Sequence, residues 1–468
     1  MPEIKKMNKR SNYLFKNTFI FTIGNLATKL INFFLIPLYT NVLTTDEYGL
    51  VDLITTVSTI AIPILTLNVM ESVMRFNLDK GANHNEITKV GIVALFYTTT
   101  LGIVLIPLTN LFSVLKGFGI YIYLFCVTSA SCQIFLCDLR GKEKLVQYSF
   151  GNILNTLFIA IFNILFLVVM KLEIKGYLIA YILSNTIVAI YAFIIGKGYK
   201  AITAKVNKAK LYEMLSYSVV LIPNSFMWWI MNSSDHLMVT SMIGVAANGI
   251  YAISYKLPTL ISTLTGIFNQ AWSYSAIKED DSSDISAYTN AVFKTMIMVI
   301  MLIGISMMTF IKPFLKVYVS PDYYEAWKYT PFLIIGCVYL TMATFMATSY
   351  TVNKDSMGFL LSGTFGALLN IILNWILIPV IGVYGAAIAT CISYISVFVF
   401  RLYHTRKYMN YNVKNKWFIA GSVLLTCSGI LMYSGTDIAF AIQLVLLSVM
   451  ILLSREIWLP IVKHKNGR

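Results

Sequence analysis

The sequence predicts an all-α integral membrane protein of about 14 transmembrane helices, and three observations carry that prediction. Hydrophobic residues make up 57% of the 468 positions and charged residues only 12%, with a mean hydropathy of +0.72, which a water-facing surface does not tolerate. Apolar runs long enough to cross a bilayer recur from one end of the chain to the other. The basic residues also alternate by loop. With the N-terminus inside, 28 of the 36 Lys and Arg residues fall in cytoplasmic segments and six outside (Lys116, Lys171, Lys175, Lys312, Lys316, Lys328), while Lys29 and Lys256 lie within spans. The net charge of +15 is therefore topological and gives no nucleic-acid footprint.

Spans are predicted near 14–38, 50–70, 90–113, 118–138, 146–170, 176–196, 214–238, 249–273, 290–311, 330–352, 358–379, 382–401, 417–434 and 438–455. Omitting any one of them would invert every later loop, so both termini are expected in the cytoplasm. The first run is longer than a signal-peptide core and lacks a small-residue cleavage pattern, so it is expected to remain as a span. It follows a basic segment (Lys5, Lys6, Lys9, Arg10, Lys16). On a helix Thr18, Thr22, Asn25, Lys29 and Asn32 form one stripe roughly 80° wide, amid Phe19, Phe21, Ile23, Leu26, Leu30, Phe33 and Phe34. A lysine at mid-bilayer costs ~2.5 to 3.5 kcal/mol on insertion scales, so Lys29 is expected to face a polar partner or a water-filled cavity.

A repeat divides the chain. Gly176 opens GYLIAYILS and Gly385 opens GAAIATCIS, each after a span bearing asparagines: Asn152, Asn155 and Asn163 in one, Asn370 and Asn374 in the other. Glu47, Tyr48, Gly49 opens the second span and Asn248, Gly249, Ile250, Tyr251 the eighth. Both markers pair each span with the sixth one after it, which predicts two six-helix lobes around a central cavity, related by an axis along the membrane normal. The expected domains are 1–200 (spans one to six), 201–411 (spans seven to twelve) and 412–468 (spans thirteen and fourteen with the tail).

The candidate site residues are polar groups inside spans. In the eighth, Lys256, Thr259, Thr263 and Gln270 share a face, as Asn25 and Lys29 do in the first. Asp235 and Lys256 stand about ten residues either side of the turn near Gly244 and Val245, at one depth, where they can pair as a structural bridge or as a latch sensitive to protons or substrate. Glu71 and Arg75 have i, i+4 spacing at the inner end of the second span and could pair at the cavity mouth. The asparagine faces serve either packing or sugars; Trp228 and Trp229 favour packing over a sugar platform. Pro63, Pro107, Pro223, Pro258 and Pro331 fall inside predicted spans, where each permits a kink. The six cysteines lack zinc-ligand spacing and read as apolar fillers, and the acidic run Glu279, Asp280, Asp281, Asp284 as a solvated loop. No phosphate-cradling glycine loop or nucleophile elbow is present, and no cofactor is called for.

The Tyr48–Gly49 opening of span two, its echo Gly249, Ile250, Tyr251 after Asp235, and the turn Gly382, Val383, Tyr384, Gly385, Ala386, Ala387 resemble bacterial polysaccharide repeat-unit flippases of the multidrug/oligosaccharidyl-lipid/polysaccharide exporter superfamily. Where members of that family often have arginine after the aspartate, this chain has His236. The resemblance implies a non-enzymatic flippase of the plasma membrane. Its substrate would be an undecaprenyl-pyrophosphate-linked oligosaccharide, its surroundings membrane lipid, and its partners a glycan polymerase and other polysaccharide-assembly proteins. The residue chemistry agrees independently. Lys29, Lys256 and Arg75 offer positive charge to a diphosphate, and Asn25, Gln270 and the tyrosines suit sugar hydroxyls. Two alternatives are a membrane glycan polymerase or glycosyltransferase, disfavoured by short external loops, and a multidrug exporter, disfavoured by a cationic stripe in the first span.

Overall fold

The computed structural model describes residues 27–455 apart from Lys80, residues 279–284 and Asn415, and each of its regular elements is a helix. The chain divides into two compact units, Met1–Trp229 and Ile230–Arg468. Ten helices are long and apolar enough to cross a membrane, and two further apolar helices are shorter. The protein is therefore a multi-pass membrane protein.

In the first unit, α1 (27–42) is followed by α2 (Thr45–Leu65), which begins where Thr44 supplies a capping box. The Glu47 backbone N–H donates to Thr44 Oγ1 at 3.3 Å, and the Thr44 backbone N–H donates to Glu47 Oε2 at 2.8 Å, satisfying donors that a helix start leaves bare. Helix α2 stops two residues after Pro63. Leu67 and Asn68 adopt left-handed φ values of 50° and 53°, the Asn68 N–H reaches back to the Pro63 carbonyl, and the chain resumes as α3 (Val69–Asn77). The predicted span 50–70 is thus an interrupted one that starts earlier. Then come α4 (His84–Leu105, continued by a 3-10 segment to Leu111), α5 (Gly119–Gly141), α6 (Leu145–Asn163, continued as a π-helix to Val169) and α7 (Glu173–Ile195). The long α8 (Lys208–Met242) carries the division between units inside it.

In the second unit the predicted span 249–273 is two helices, α9 (Val245–Lys256) and α10 (Pro258–Lys278). Proline lacks the N–H that would continue the ladder, so the break falls at Leu257. After α11 (Ile285–Tyr318) follow α12 (Thr330–Val352), α13 (Ser356–Ile381) and α14 (Val383–His404), then the shorter α15 (Lys416–Leu431) and α16 (Asp437–Leu453). Pro258 and Pro331 sit in the first turn of α10 and α12 and Pro107 opens a 3-10 segment, so none of these three kinks a helix interior as expected from the sequence. Only Pro63 and Pro223 of the five lie within helices.

The internal repeat is visible in the details of each unit. Asn163 near the end of α6 and Asn374 near the end of α13 are both fully buried, and the side-chain oxygen of each lacks a partner. At the α6–α7 junction an ideal Cβ on Gly176 would lie 3.1 Å from the Phe166 carbonyl oxygen; at the α13–α14 junction one on Gly385 would lie 2.6 Å from that of Leu377. Further on, Ser184 and Ser393 are buried and donate to the carbonyls of Ala180 and Ala389 at 2.7 Å each. The turns before α6 and α13 repeat as well, through left-handed Glu143 (φ 57°) and Lys354 (φ 55°). In the second turn Asp355 caps α13. The Gly358 N–H first, then Lys407 and Tyr408, hold its carboxyl down to about 2, so Asp355 is ionised across the physiological range.

Candidate functional site

Lys256 closes α9, at the break in the predicted eighth span. From Val245 the helix runs about 18 Å to Lys256; neither α9 nor α10 is among the ten described helices long and apolar enough to cross a membrane. Its neighbours Ser254, Tyr255 and Leu257 are buried while Lys256 itself is exposed. The Leu260 N–H, the ladder donor for the Lys256 carbonyl, bonds to the Leu257 carbonyl at 3.0 Å, and Thr259 Oγ1 donates to the Lys256 carbonyl at 2.7 Å. The ammonium is left on the surface of the second unit at the start of α10, whose first N–H groups carry positive partial charge.

Asp235 of α8 is buried, 1% exposed, and is not ion-paired to Lys256. Its donors are hydroxyls and backbone. Tyr251 O–H donates to Oδ2 at 2.5 Å, Thr390 O–H to the same oxygen at 3.1 Å, and the His236 N–H to Oδ1 at 3.1 Å. The expected pairing is not formed: a buried Asp235 and an exposed Lys256 face different surroundings. The chain of bonds continues inward: Asn370 Nδ2 donates to Thr390 Oγ1 (3.2 Å), and Asn370 Oδ1 accepts from Asn374 (3.0 Å) and Ser234 (3.3 Å). Alongside, the hydroxyls of Tyr255 and Tyr394 meet at 2.6 Å, and Tyr394 donates to Asn232 Oδ1 at 3.2 Å. A carboxylate held only by neutral donors requires each of them to keep pointing at it.

The other candidates are distributed between the units. Lys29 is an exposed residue of α1 in the first unit, and Asn25 of the same stripe lies outside the described residues. Gln270 belongs to α10, but its side chain also lies outside the description. Arg75 bonds to Asp79 at 2.6 Å, both exposed, in place of the expected Glu71, and that bond raises the guanidinium above its usual value. Asp79 is the other residue one helical turn from Arg75, and spacing alone cannot choose between the two. The asparagines make interhelical contacts: Asn155 Nδ2 donates to Asn185 Oδ1 at 3.0 Å, and Asn185 Nδ2 to Ser129 Oγ at 2.8 Å. Trp229 Nε1 donates to the Thr56 carbonyl at 2.9 Å, a packing role.

A buried ion pair and a buried arginine escape a reading by motif. Lys142 and Asp138 pair at 2.6 Å with side chains 9% and 2% exposed. Asp138 Oδ1 also accepts from Thr88 (2.6 Å) and Asn77 (3.0 Å), and Lys142 donates to the Gly196 carbonyl (2.9 Å). The group ties α3, α4, α5 and the end of α7 together. The i, i+4 spacing of Asp138 and Lys142 is the signal that was available. Arg401, 2% exposed, spends its donors on Ser362 Oγ and the Ala343 carbonyl, at 3.0 and 2.9 Å, joining α14 to α13 and α12. Nothing in the sequence around Arg401 marks it as buried. Among the described residues no group of three or more His, Cys, Asp or Glu side chains is placed to hold a metal ion.

Solved structures share this helix arrangement. The lipid II flippase MurJ in its inward closed conformation aligns over 95% of this chain and 99% of its own, with a TM-score of 0.70 and 14% identity. A MOP superfamily transporter from Pyrococcus furiosus aligns over 88% and 96% at a TM-score of 0.58 and 12% identity. At such identities the likeness is one of fold alone. The chain belongs to the polysaccharide biosynthesis protein family, which it matches over residues 14–273. A protein of the Lsg locus of Haemophilus influenzae is 21% identical over 276 residues, covering 57% of this chain and 67% of that relative.

Proposed function

We propose that this protein moves an undecaprenyl-pyrophosphate-linked oligosaccharide repeat unit across the plasma membrane by alternating access, for assembly of a cell-surface polysaccharide. Membership of the polysaccharide biosynthesis family supports the pathway, and the likeness to a lipid II flippase supports a lipid-linked cargo. The single observation that carries the choice of an anionic head group is Lys256, exposed where the helix is interrupted, within the stretch expected from the sequence to be the eighth span. Lys29 adds a second cation within a span of the first unit, and both suit a diphosphate better than a cationic drug. Fourteen spans with cytoplasmic termini remain the topology favoured by the distribution of lysine and arginine.

Two experiments test this reading. Deleting the gene is expected to leave a lipid-linked oligosaccharide accumulating on the inner leaflet, with loss of the surface glycan. A deletion strain that exports its glycan normally and accumulates no such lipid would end the proposal. For the topology, cysteines placed at Asn83 and Asn410 are expected to react with a membrane-impermeant maleimide only after the cytoplasmic face is opened. Labelling of either position in intact cells would require a different number of spans.

A further inference from the structure

We propose that the cleft between α10 and α11 seats the isoprenoid chain of the lipid carrier while its diphosphate is held at Lys256. This rests on the flippase reading above and adds to it a binding site for the apolar part of the cargo. The two helices are consecutive, yet they part to leave a cavity of about 370 Å3, walled by Leu264 and Phe268 on α10 and by Tyr288, Thr295, Val299 and Ile303 on α11. The face of α11 around Met301 and Gly304 is closed. An ideal Cβ on Gly304 would lie 3.0 Å from Val338 of α12 and from Leu425 of α15, and Gly421 of α15 packs on Met301. Along the cleft, by contrast, Leu264, Phe268, Tyr288 and Val299 are all exposed.

The walls admit hydrocarbon and offer little to a head group. Three hydroxyls belong to the lining, those of Thr265, Tyr288 and Thr295, and the two threonines are engaged within their own helices: Thr265 Oγ1 donates to the Ile261 carbonyl at 2.9 Å and Thr295 Oγ1 to that of Ala291 at 3.1 Å. Such back-bonded threonines behave as apolar residues toward a ligand. The cavity has the volume of a small-molecule site, too little for an α-helix about 10 Å across. Its α11 wall, from Tyr288 to Ile303, is about 22 Å long, so it suits a flexible chain running along the membrane normal for most of the hydrocarbon thickness. The α10 wall is continuous with the cation. Leu264 lies eight residues past Lys256, about 12 Å along the helix direction, so a lipid whose phosphate meets Lys256 can lay its tail down α10 without leaving the protein surface.

The test uses the full-length protein in nanodiscs and a polyprenyl diphosphate bearing a diazirine on a mid-chain isoprene. Cross-links are expected on α10 between Leu264 and Phe268 and on α11 between Val292 and Ile303. Excess undecaprenyl diphosphate should compete them away and phosphatidylglycerol should not. Filling the cleft with Thr295→Trp and Val299→Trp is expected to cut the labelling about tenfold, while Val445→Trp, on an exposed position of α16, leaves it unchanged. Equal labelling of the cleft by a diazirine phosphatidylglycerol, or a failure of competition, would mean that ordinary membrane lipid fills it and would overturn the proposal. Both readouts use the wild-type chain and do not depend on how the variants fold. Cross-links confined to other helices would also overturn it. In that case the flippase reading stands, since that reading falls only if the deletion strain accumulates no lipid-linked sugar.

Discussion

Replacing Lys256 by methionine is expected to remove most glycan export while the protein remains in the membrane at its normal level. Methionine keeps the length of the side chain and is cheaper than lysine in hydrocarbon, so insertion does not suffer. Lys256 forms no ion pair among the described residues and sits exposed at the end of α9, so its loss strands no buried carboxylate. What is lost is a charge-assisted contact to phosphate. Such a contact is worth about 1.5 to 3 kcal/mol, roughly 10- to 100-fold in binding. Lys256→Arg keeps the charge and is expected to keep much of the export. Export of the glycan, normalised to protein in the membrane fraction, is the measurement. Normal export by Lys256→Met at normal abundance would show that the residue does not meet the cargo.

The largest structural effect is expected at Gly385. A Cβ there would lie 2.5 Å from the Leu377 carbonyl carbon and 2.6 Å from the Ile378 nitrogen, both backbone atoms of the preceding helix. A flexible side chain could move aside; the end of α13 cannot do so without separating from α14. Gly385→Val is therefore expected to destabilise the second unit by more than the ~1 to 3 kcal/mol typical of overpacking, and to abolish accumulation of the protein. Gly363 on α13 provides the contrast, since a Cβ there meets nothing within 4 Å. Gly363→Ala is expected to leave the melting temperature unchanged or to raise it through helix propensity, worth up to about 1 kcal/mol. Membrane level and thermal stability in detergent distinguish the two. If Gly385→Val accumulated and melted like the parent, the close approach of the α13–α14 turn would be wrong.

Most of the helices were legible in the sequence because a bilayer demands long apolar runs, and a run such as Ile159 to Val169 has few other readings. Hydropathy averages over a window, however, and is blind to the backbone ladder. That is why the interruptions after Pro63 and at Leu257 read as continuous spans, and why Pro331 read as a kink rather than a helix start. The repeat was legible through Gly176 and Gly385, where a close backbone approach excludes a Cβ at Gly385 and crowds one at Gly176, at 3.1 Å from the Phe166 carbonyl oxygen. Side-chain pairing was less so. Arg75 chose Asp79 over Glu71 between two equally spaced carboxylates. Asp235 found Tyr251 and Thr390, the second of them brought near only by the packing of α14. Periodicity within one helix carries no information about which distant helix will supply a donor.

The break in the eighth predicted span also has a mechanical meaning. An intact helix resists bending because each turn is riveted to the next by i to i−4 bonds, and opening one of these in a bilayer leaves a bare carbonyl in hydrocarbon. Pro258 has no N–H to give to the turn before it, and Thr259 has already supplied a hydroxyl to the Lys256 carbonyl. Flexing at Leu257 therefore severs no rivet that a straight helix would have kept through residue 258. The joint of the predicted span lies beside Lys256, so an anion held there as proposed would pull on the joint itself, with almost no lever arm through either half.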